Sequence, residues 1–212
     1  MTRPTTLVLV TGTGTGVGKT WWAAELARGL GARGVVVAAR KPVQSGPDTP
    51  SDADVLAAAT GSRADEVCPP HRRYARAWAP PMAADDAGAP SFTVAELVGE
   101  LSWPPGTAVG LVEGAGGPRS PIAADGDTVD LARVLRPDTV VLVGDAGLGT
   151  INAVRLSVDA LAGFRVVVAL NRFGAEPLHL RNEEFLRGCG YDVVTSVPQL
   201  ADRVIAPERK NG

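Results

Sequence analysis

Apolar and polar positions along this chain follow two rhythms. Short runs rich in Val, Leu and Ala occur at residues 6–11, 35–39, 108–113, 138–144, 164–171 and 192–197. Brief apolar runs bounded by Gly or polar turns read as strands buried on both faces. Between them lie stretches with helical spacing at 20–30, 51–60, 92–101, 128–135, 150–162 and 180–187. Gly31 and Gly34 close the first helix and Gly61 the second, and Thr93 with Glu96 fits a capping box. Strand and helix alternate throughout, which predicts an α/β layer sandwich with a mostly parallel central sheet flanked by helices. Residues 62–90 are rich in Pro and Ala and keep no clean period, so they read as a long irregular excursion, the kind of segment that is often functional. With no linker and no internal repeat, residues 1–212 read as a single domain, and 208–212 as a frayed polar end.

Composition narrows this picture. At 212 residues and 45% hydrophobic, the chain can bury a core without disulfides or a structural metal. A formal charge of -2 argues against a dedicated nucleic-acid binder. Cys68 and Cys189, with only two histidines, make neither a disulfide framework nor a four-ligand zinc site, and a reduced, cytoplasmic setting is expected. The first residues hold no run suited to a signal peptide, and every apolar run is too short to cross a membrane. The 21 cations divide into 18 Arg and three Lys: Lys19, Lys41 and Lys210. Lys210 lies in the polar tail, whereas Lys19 and Lys41 fall inside motifs.

Residues 12–20 read GTGTGVGKT, after a predicted strand and at the start of a predicted helix. Glycines there permit a tight loop whose backbone N–H groups turn toward an anion, and the helix end adds positive potential. Lys19 reaches the β- and γ-phosphates as a point charge, and Thr20 offers its hydroxyl to Mg²⁺. Glu113 ends the third strand in AVGLVEGAGG, at the sheet edge where ligands gather, and a carboxylate there can hold magnesium opposite Thr20. Gly114, Gly116 and Gly117 let backbone approach phosphate or substrate. Lys41, in KPVQSG, follows the second strand on the same edge. Asp52 begins the next helix as a further magnesium carboxylate, with Asp54 as its competitor. At least one of Trp21 and Trp22 is expected in the core or lining the phosphate loop. Arg72, Arg73 and Arg76 read as a solvated basic face, and both cysteines as chemically bland. Asp145 lies on the ligand edge with its role open.

These segments together resemble dethiobiotin synthetase, an ATP-dependent carboxylase of biotin biosynthesis and a P-loop NTPase-like ligase. The resemblance runs through the phosphate loop, KPVQSG, Ser51-Asp52-Ala53, VEGAGG, GLGTIN at 147–152, Asn171 and Pro198-Gln199-Leu200. It implies conversion of 7,8-diaminopelargonate, carbon dioxide and ATP to dethiobiotin, ADP and phosphate, through a carbamate and a carbamic-phosphoric mixed anhydride. By resemblance Lys41 is the catalytic lysine, Lys19 cradles the phosphates, and Thr15 and Ser45 contact the carbamate and the diamine. Thr20, Asp52 and Glu113 match the magnesium positions. Gly12, Thr13, Gly14, Gly16, Val17, Gly18, Trp21, Gly114, Ala115 and Gly116 line the nucleotide's phosphates. Asn171, with Arg172 beside it, reads the base, which Pro198, Gln199 and Leu200 wall. The resemblance further implies a homodimer with the diamine at the subunit interface, touched by Gly116 and Gly117 and by Asn152 from the second subunit. ATP is the expected nucleotide, with CTP and GTP open. This chain has Gly14 where some members carry Asp, its residues 79–88 match the substrate-side loop only loosely, and Pro118-Arg119-Ser120 fits no pattern. Two rival readings share the loop: a switch ATPase of the partitioning or septum-positioning type, and an ATP-dependent amidase-like enzyme.

Overall fold

The computed structural model describes residues 3–47 and 49–205; Lys210 and the expected frayed end at 208–212 lie outside the described residues. The chain opens with β1 (Thr6–Gly12), α1 (Lys19–Gly31) and β2 (Val37–Arg40). A short β3 (Gln44–Ser45) leads to α2 (Asp52–Thr60), which Ser51 caps in a capping box with Asp54 and which Gly61 ends in the left-handed conformation. Next come α3 (Ala64–Val67), β4 (Arg73–Tyr74), α4 (Pro80–Asp86), α5 (Val94–Gly99) and β5 (Val109–Glu113). A small hairpin, β6 (Pro121–Ala123) and β7 (Gly126–Asp127), precedes α6 (Thr128–Leu135). The chain finishes through β8 (Thr139–Asp145), α7 (Thr150–Ala160), β9 (Val166–Asn171), α8 (Pro177–Gly188), β10 (Asp192–Val194) and α9 (Val197–Ile205).

Six strands form one sheet in the order β10-β9-β8-β1-β5-β2. Every pairing in it is parallel, so all C-terminal strand ends share one edge. Alternate residues of each strand feed opposite faces. Leu7, Leu9, Val112, Val140, Leu142, Val168 and Leu170 pack on one side with Leu97, Leu131 and Val154 from α5, α6 and α7. Val8, Val10, Leu111, Val141, Val143 and Val167 pack on the other with Trp22, Leu26, Leu56 and Leu200 from α1, α2 and α9. Both faces are covered, which is why the strands read as continuous apolar runs. Strand order reverses at β1, between β8 and β5, and that crevice is where an open parallel sheet takes its ligand.

The structure departs from expectation in two stretches. Residues 62–90 are not irregular throughout: they hold α3, a 3₁₀ turn at Pro70–Arg72, β4 and α4. These elements are too short to show a period, and Pro80 and Pro81 begin α4, since proline suits a first helical turn. The last strand stops at Val194 rather than at 197, and Val197 opens α9. That helix buries Leu200, Ala201 and Val204, an i, i+1, i+4 stripe partly hidden in the sequence by Pro198.

Leu142, fully buried in the sheet's centre, tests the core. Leu142→Ala should lower unfolding free energy by about 2–5 kcal/mol in urea denaturation.

Candidate active site

Gly12 ends β1 against β8, where the Thr13 amide donates to the Val143 carbonyl at 2.8 Å. The loop then turns through Gly16 and Gly18, at φ 76° and 100°. Gly18 is obligatory on a second ground: a Cβ there would lie 2.1 Å from Asn171 Nδ2. Gly18 is also the N-cap of α1 and supplies no side chain, so the first-turn N–H groups are left for an anion. Lys19 is buried and folds back over the loop, its Nζ donating to the Gly14 carbonyl at 2.9 Å. Burial, then the nearby Lys41, lowers the Lys19 pKa from the ordinary lysine value, and Glu113 and Asp52 oppose this only in part.

Beside the loop stands a cluster of charges. Lys41, one residue past β2, is almost fully buried, and its amide is fixed by the Val67 carbonyl at 2.7 Å. Its Nζ lies 2.6 Å from Glu113 Oε1 and 2.7 Å from Asp52 Oδ2, and donates to the Gly114 carbonyl at 3.2 Å. Thr20 Oγ1 is within hydrogen-bond distance of both acids, 2.8 Å from Asp52 Oδ1 and 2.9 Å from Glu113 Oε1. Burial alone would lower Lys41, but Glu113 and then Asp52 outweigh it and hold its ammonium above the ordinary value. Burial would raise Asp52, yet Lys41 and hydrogen bonds from Lys41 and Thr20 hold it below the usual carboxylate range. Glu113 is pushed upward by burial, with Lys41 opposing. Its Oε2 is buried and has no hydrogen-bond partner among the described residues.

Side chains around the cluster sort the remaining candidates. Asp54 turns away to bond Ser51, so Asp52 alone of the two faces the site. Buried Gln44, which sequence reasoning missed, accepts from the Ala53 amide at 3.1 Å and so fixes the start of α2. Ser45 donates to the Trp78 carbonyl at 2.6 Å. The VEGAGG turn lies on the phosphate loop, with a Gly117 Cβ reaching 3.3 Å from the Gly12 carbonyl. Ser120, in the unassigned Pro118-Arg119-Ser120, accepts from the Gly117 amide at 2.8 Å and holds that turn. Thr15 is exposed at the loop tip, as are Trp21 near it and Asn152 on α7. Asn171 and Arg172 reach the loop's carbonyls at Val17 and Gly16, at 2.8 and 3.0 Å. Pro198 and Gln199 are exposed in the first turn of α9, while Leu200 is in the core.

Other expectations resolve outside the site. Trp22 is core and Trp21 is half exposed, the two rings edge to face. The three arginines are not a loose solvated face, because each has an acid: Asp65 in α3, Asp86 in α4 and Glu100 just past α5. Arg72 is buried over the Phe92 ring and makes a bidentate pair with Glu100, Arg73 bonds Asp65 and the Cys68 carbonyl, and Arg76 pairs with Asp86. Cys68 is buried, which pushes its thiol up to about 11 and away from nucleophilic use.

A glycine loop opening onto an uncapped helix, at the switch point of a parallel sheet, defines a P-loop nucleotide-binding protein. The same fold occurs in a putative plasmid partition protein of Borrelia burgdorferi bound to AMPPNP (TM-score 0.54, 12% identity, 88% of this chain and 84% of that one). It occurs also in a DUF1611 family protein of Anabaena variabilis (TM-score 0.56, 19% identity, 97% and 58%). A family model described as an AAA domain matches residues 6–204. The ATP-dependent dethiobiotin synthetase BioD of Mycobacteroides abscessus is 38% identical over 95% of this chain and 91% of its own. Its namesake in Rhodococcus jostii is 36% identical over 93% and 88%. The chain belongs to the dethiobiotin synthetase family.

Lys19→Ala should weaken ATP binding about ten- to a hundredfold by calorimetry, the size of a lost charge-assisted hydrogen bond. Because its pKa is lowered, Lys19 loses its proton below the ordinary lysine value. ATP affinity of the wild type should therefore fall on the alkaline side before an ordinary lysine titrates. The alanine variant should lack that limb.

Proposed function

We propose that this protein is an ATP- and magnesium-dependent cyclo-ligase that converts 7,8-diaminopelargonate and carbon dioxide to dethiobiotin, releasing ADP and phosphate. The observation that carries the reading is Lys41, a buried ammonium held between Glu113 and Asp52 at the mouth of the phosphate loop. Similar relatives named as ATP-dependent dethiobiotin synthetases support it. The chemistry asks the protein for positioning and charge neutralisation more than for proton transfer. One amine of the diamine adds to carbon dioxide and loses a proton, giving a carbamate. A carbamate oxygen takes the γ-phosphoryl group and ADP departs. The neighbouring amine then attacks the carbamoyl carbon, closes the ureido ring, loses a proton and expels phosphate.

Lys41 steadies the carbamate and the transferring phosphoryl group, where negative charge concentrates. Lys19 and the amides of residues 13–20 hold the phosphates of ATP. Thr15 and Ser45 contact the reacting end of the diamine, and Asn171 and Arg172 stay within the nucleotide site. Thr20, Asp52 and Glu113 fit a magnesium ion. Two carboxylates and a hydroxyl converge there, one buried carboxylate oxygen has no partner among the described residues, and magnesium commonly takes one or two carboxylates with the substrate's phosphates. Held by these residues, magnesium would supply neutralisation of charge on the phosphates. A homodimer with the diamine between subunits is supported by exposed Leu148 and Leu156, which stand four residues either side of Asn152. No helix of the described residues is long and apolar enough to cross a membrane.

Phosphate release from ATP with magnesium and bicarbonate should depend on added diamine and yield dethiobiotin by mass spectrometry. Lys41→Gln should cut that turnover by about a hundred- to a thousandfold. Diamine-independent release at the same rate would point to a switch ATPase instead. Asp52→Asn should raise the magnesium requirement about tenfold or more. Asp54→Asn, altering only the α2 cap, should leave the requirement as in the wild type.

A further inference from the structure

Asp145, at the end of β8, has an ordered place in the fold. One of its oxygens accepts from the Gly147 amide at 2.9 Å and the other pairs with Arg172 Nη1. These two interactions hold Asp145 ionised, below the usual carboxylate range. Arg172 directs its second nitrogen, Nη2, to the Gly16 carbonyl at 3.0 Å, beside the Asn171 bond to Val17. The backbone of Arg172 sits at φ 54°. That left-handed region costs a non-glycine residue about 1–2 kcal/mol. The paired side chains are 61% and 44% exposed, and exposed ion pairs add only about 0–1 kcal/mol to a fold. Stability therefore does not account for an arginine placed at an unfavourable backbone angle.

What these bonds do fix is direction. In a trans peptide the C=O and the following N–H point opposite ways. Drawing the Gly16 carbonyl outward turns the Val17 N–H inward, and drawing the Val17 carbonyl to Asn171 does the same for the Gly18 N–H. We propose that Arg172, seated on Asp145, is a positioning residue that aims the Val17 amide at the phosphates of the bound nucleotide. The proposal rests on the loop's reading as a nucleoside triphosphate site. It assigns Arg172 to the loop's backbone, with no contact to base or ribose.

The test compares wild type, Arg172→Ala, Arg172→Lys and Asp145→Asn, titrated by calorimetry with ATP and with inorganic tripolyphosphate, both with magnesium. Melting without ligand serves as the folding control. Arg172→Ala should weaken both ligands by the same factor, about three- to tenfold, the effect of one ordinary hydrogen bond. Lysine, with no fork to span Asp145 and Gly16, should not restore affinity, and Asp145→Asn should reproduce part of the loss. In turnover, the KM for ATP should rise while kcat at saturation stays within about twofold. Loss confined to ATP would overturn the proposal, because Arg172 would then touch base or ribose. Full rescue by lysine would reduce its role to charge, and unchanged affinity in all variants would leave the clamp without effect. If dethiobiotin is not formed, the proposed reaction fails while these affinities still decide the clamp.

Discussion

A carboxylate taken out of water must be answered by opposite charge or hydrogen bonds, and Glu113 is taken out almost completely. Its answer is Lys41 from the neighbouring strand end and Thr20 from the first turn of α1. Asp52, from α2, completes the same contact set. One cluster thus ties together the ends of β2 and β5 and the starts of α1 and α2. Pairs of this kind contribute little net stability, because desolvation cancels most of the attraction. Breaking one side is a different matter, since it strands the other charge in the interior. The arrangement makes sense as a prepared electrostatic site, which the fold tolerates because each charge has its partner.

The phosphate loop depends on the same economy of fixed directions. Its own hydrogen-bonding capacity is turned toward an anion only if its carbonyls are held elsewhere. Lys19 holds Gly14, Asn171 holds Val17 and Arg172 holds Gly16. Gly18 gives way so that Asn171 can close against it. Preorganised donors of this kind need no rearrangement when charge arrives, which is where electrostatic catalysis gains most.

Two lysines and two carboxylates give the cluster no net formal charge before a ligand binds. A nucleoside triphosphate adds several negative charges, and a divalent cation between the carboxylates would offset part of them. Both lysines sit close enough to share the remainder. The depressed Lys19 and the elevated Lys41 differ because Lys41 has two acids within contact distance, whereas Lys19 bonds a neutral carbonyl. The more polarised of the two is the one proposed to meet the reacting group.

The alternation of apolar runs and helical spacing determined the parallel sheet, because a strand buried on both faces can be built only from such runs. The phosphate loop, Lys41, Glu113 and the start of α2 were also legible, since each depends on a local motif at a strand or helix end. The short helices of 62–90 and α9 were not, because elements of four to nine residues give few turns and their prolines resemble breakers. Tertiary structure separated Asp52 from Asp54: both begin the same helix, and while Asp54 bonds Ser51 within that helix's own cap, only the packing of the helix against α1 brings Asp52 to Thr20 and Lys41. Tertiary structure alone gave partners to Arg72, Arg73 and Arg76, and it brought Asp145, Arg172 and Gly16 together from three strand ends. Spacing along a chain encodes contacts within one element, whereas a contact between strand ends exists only after the sheet has set their order.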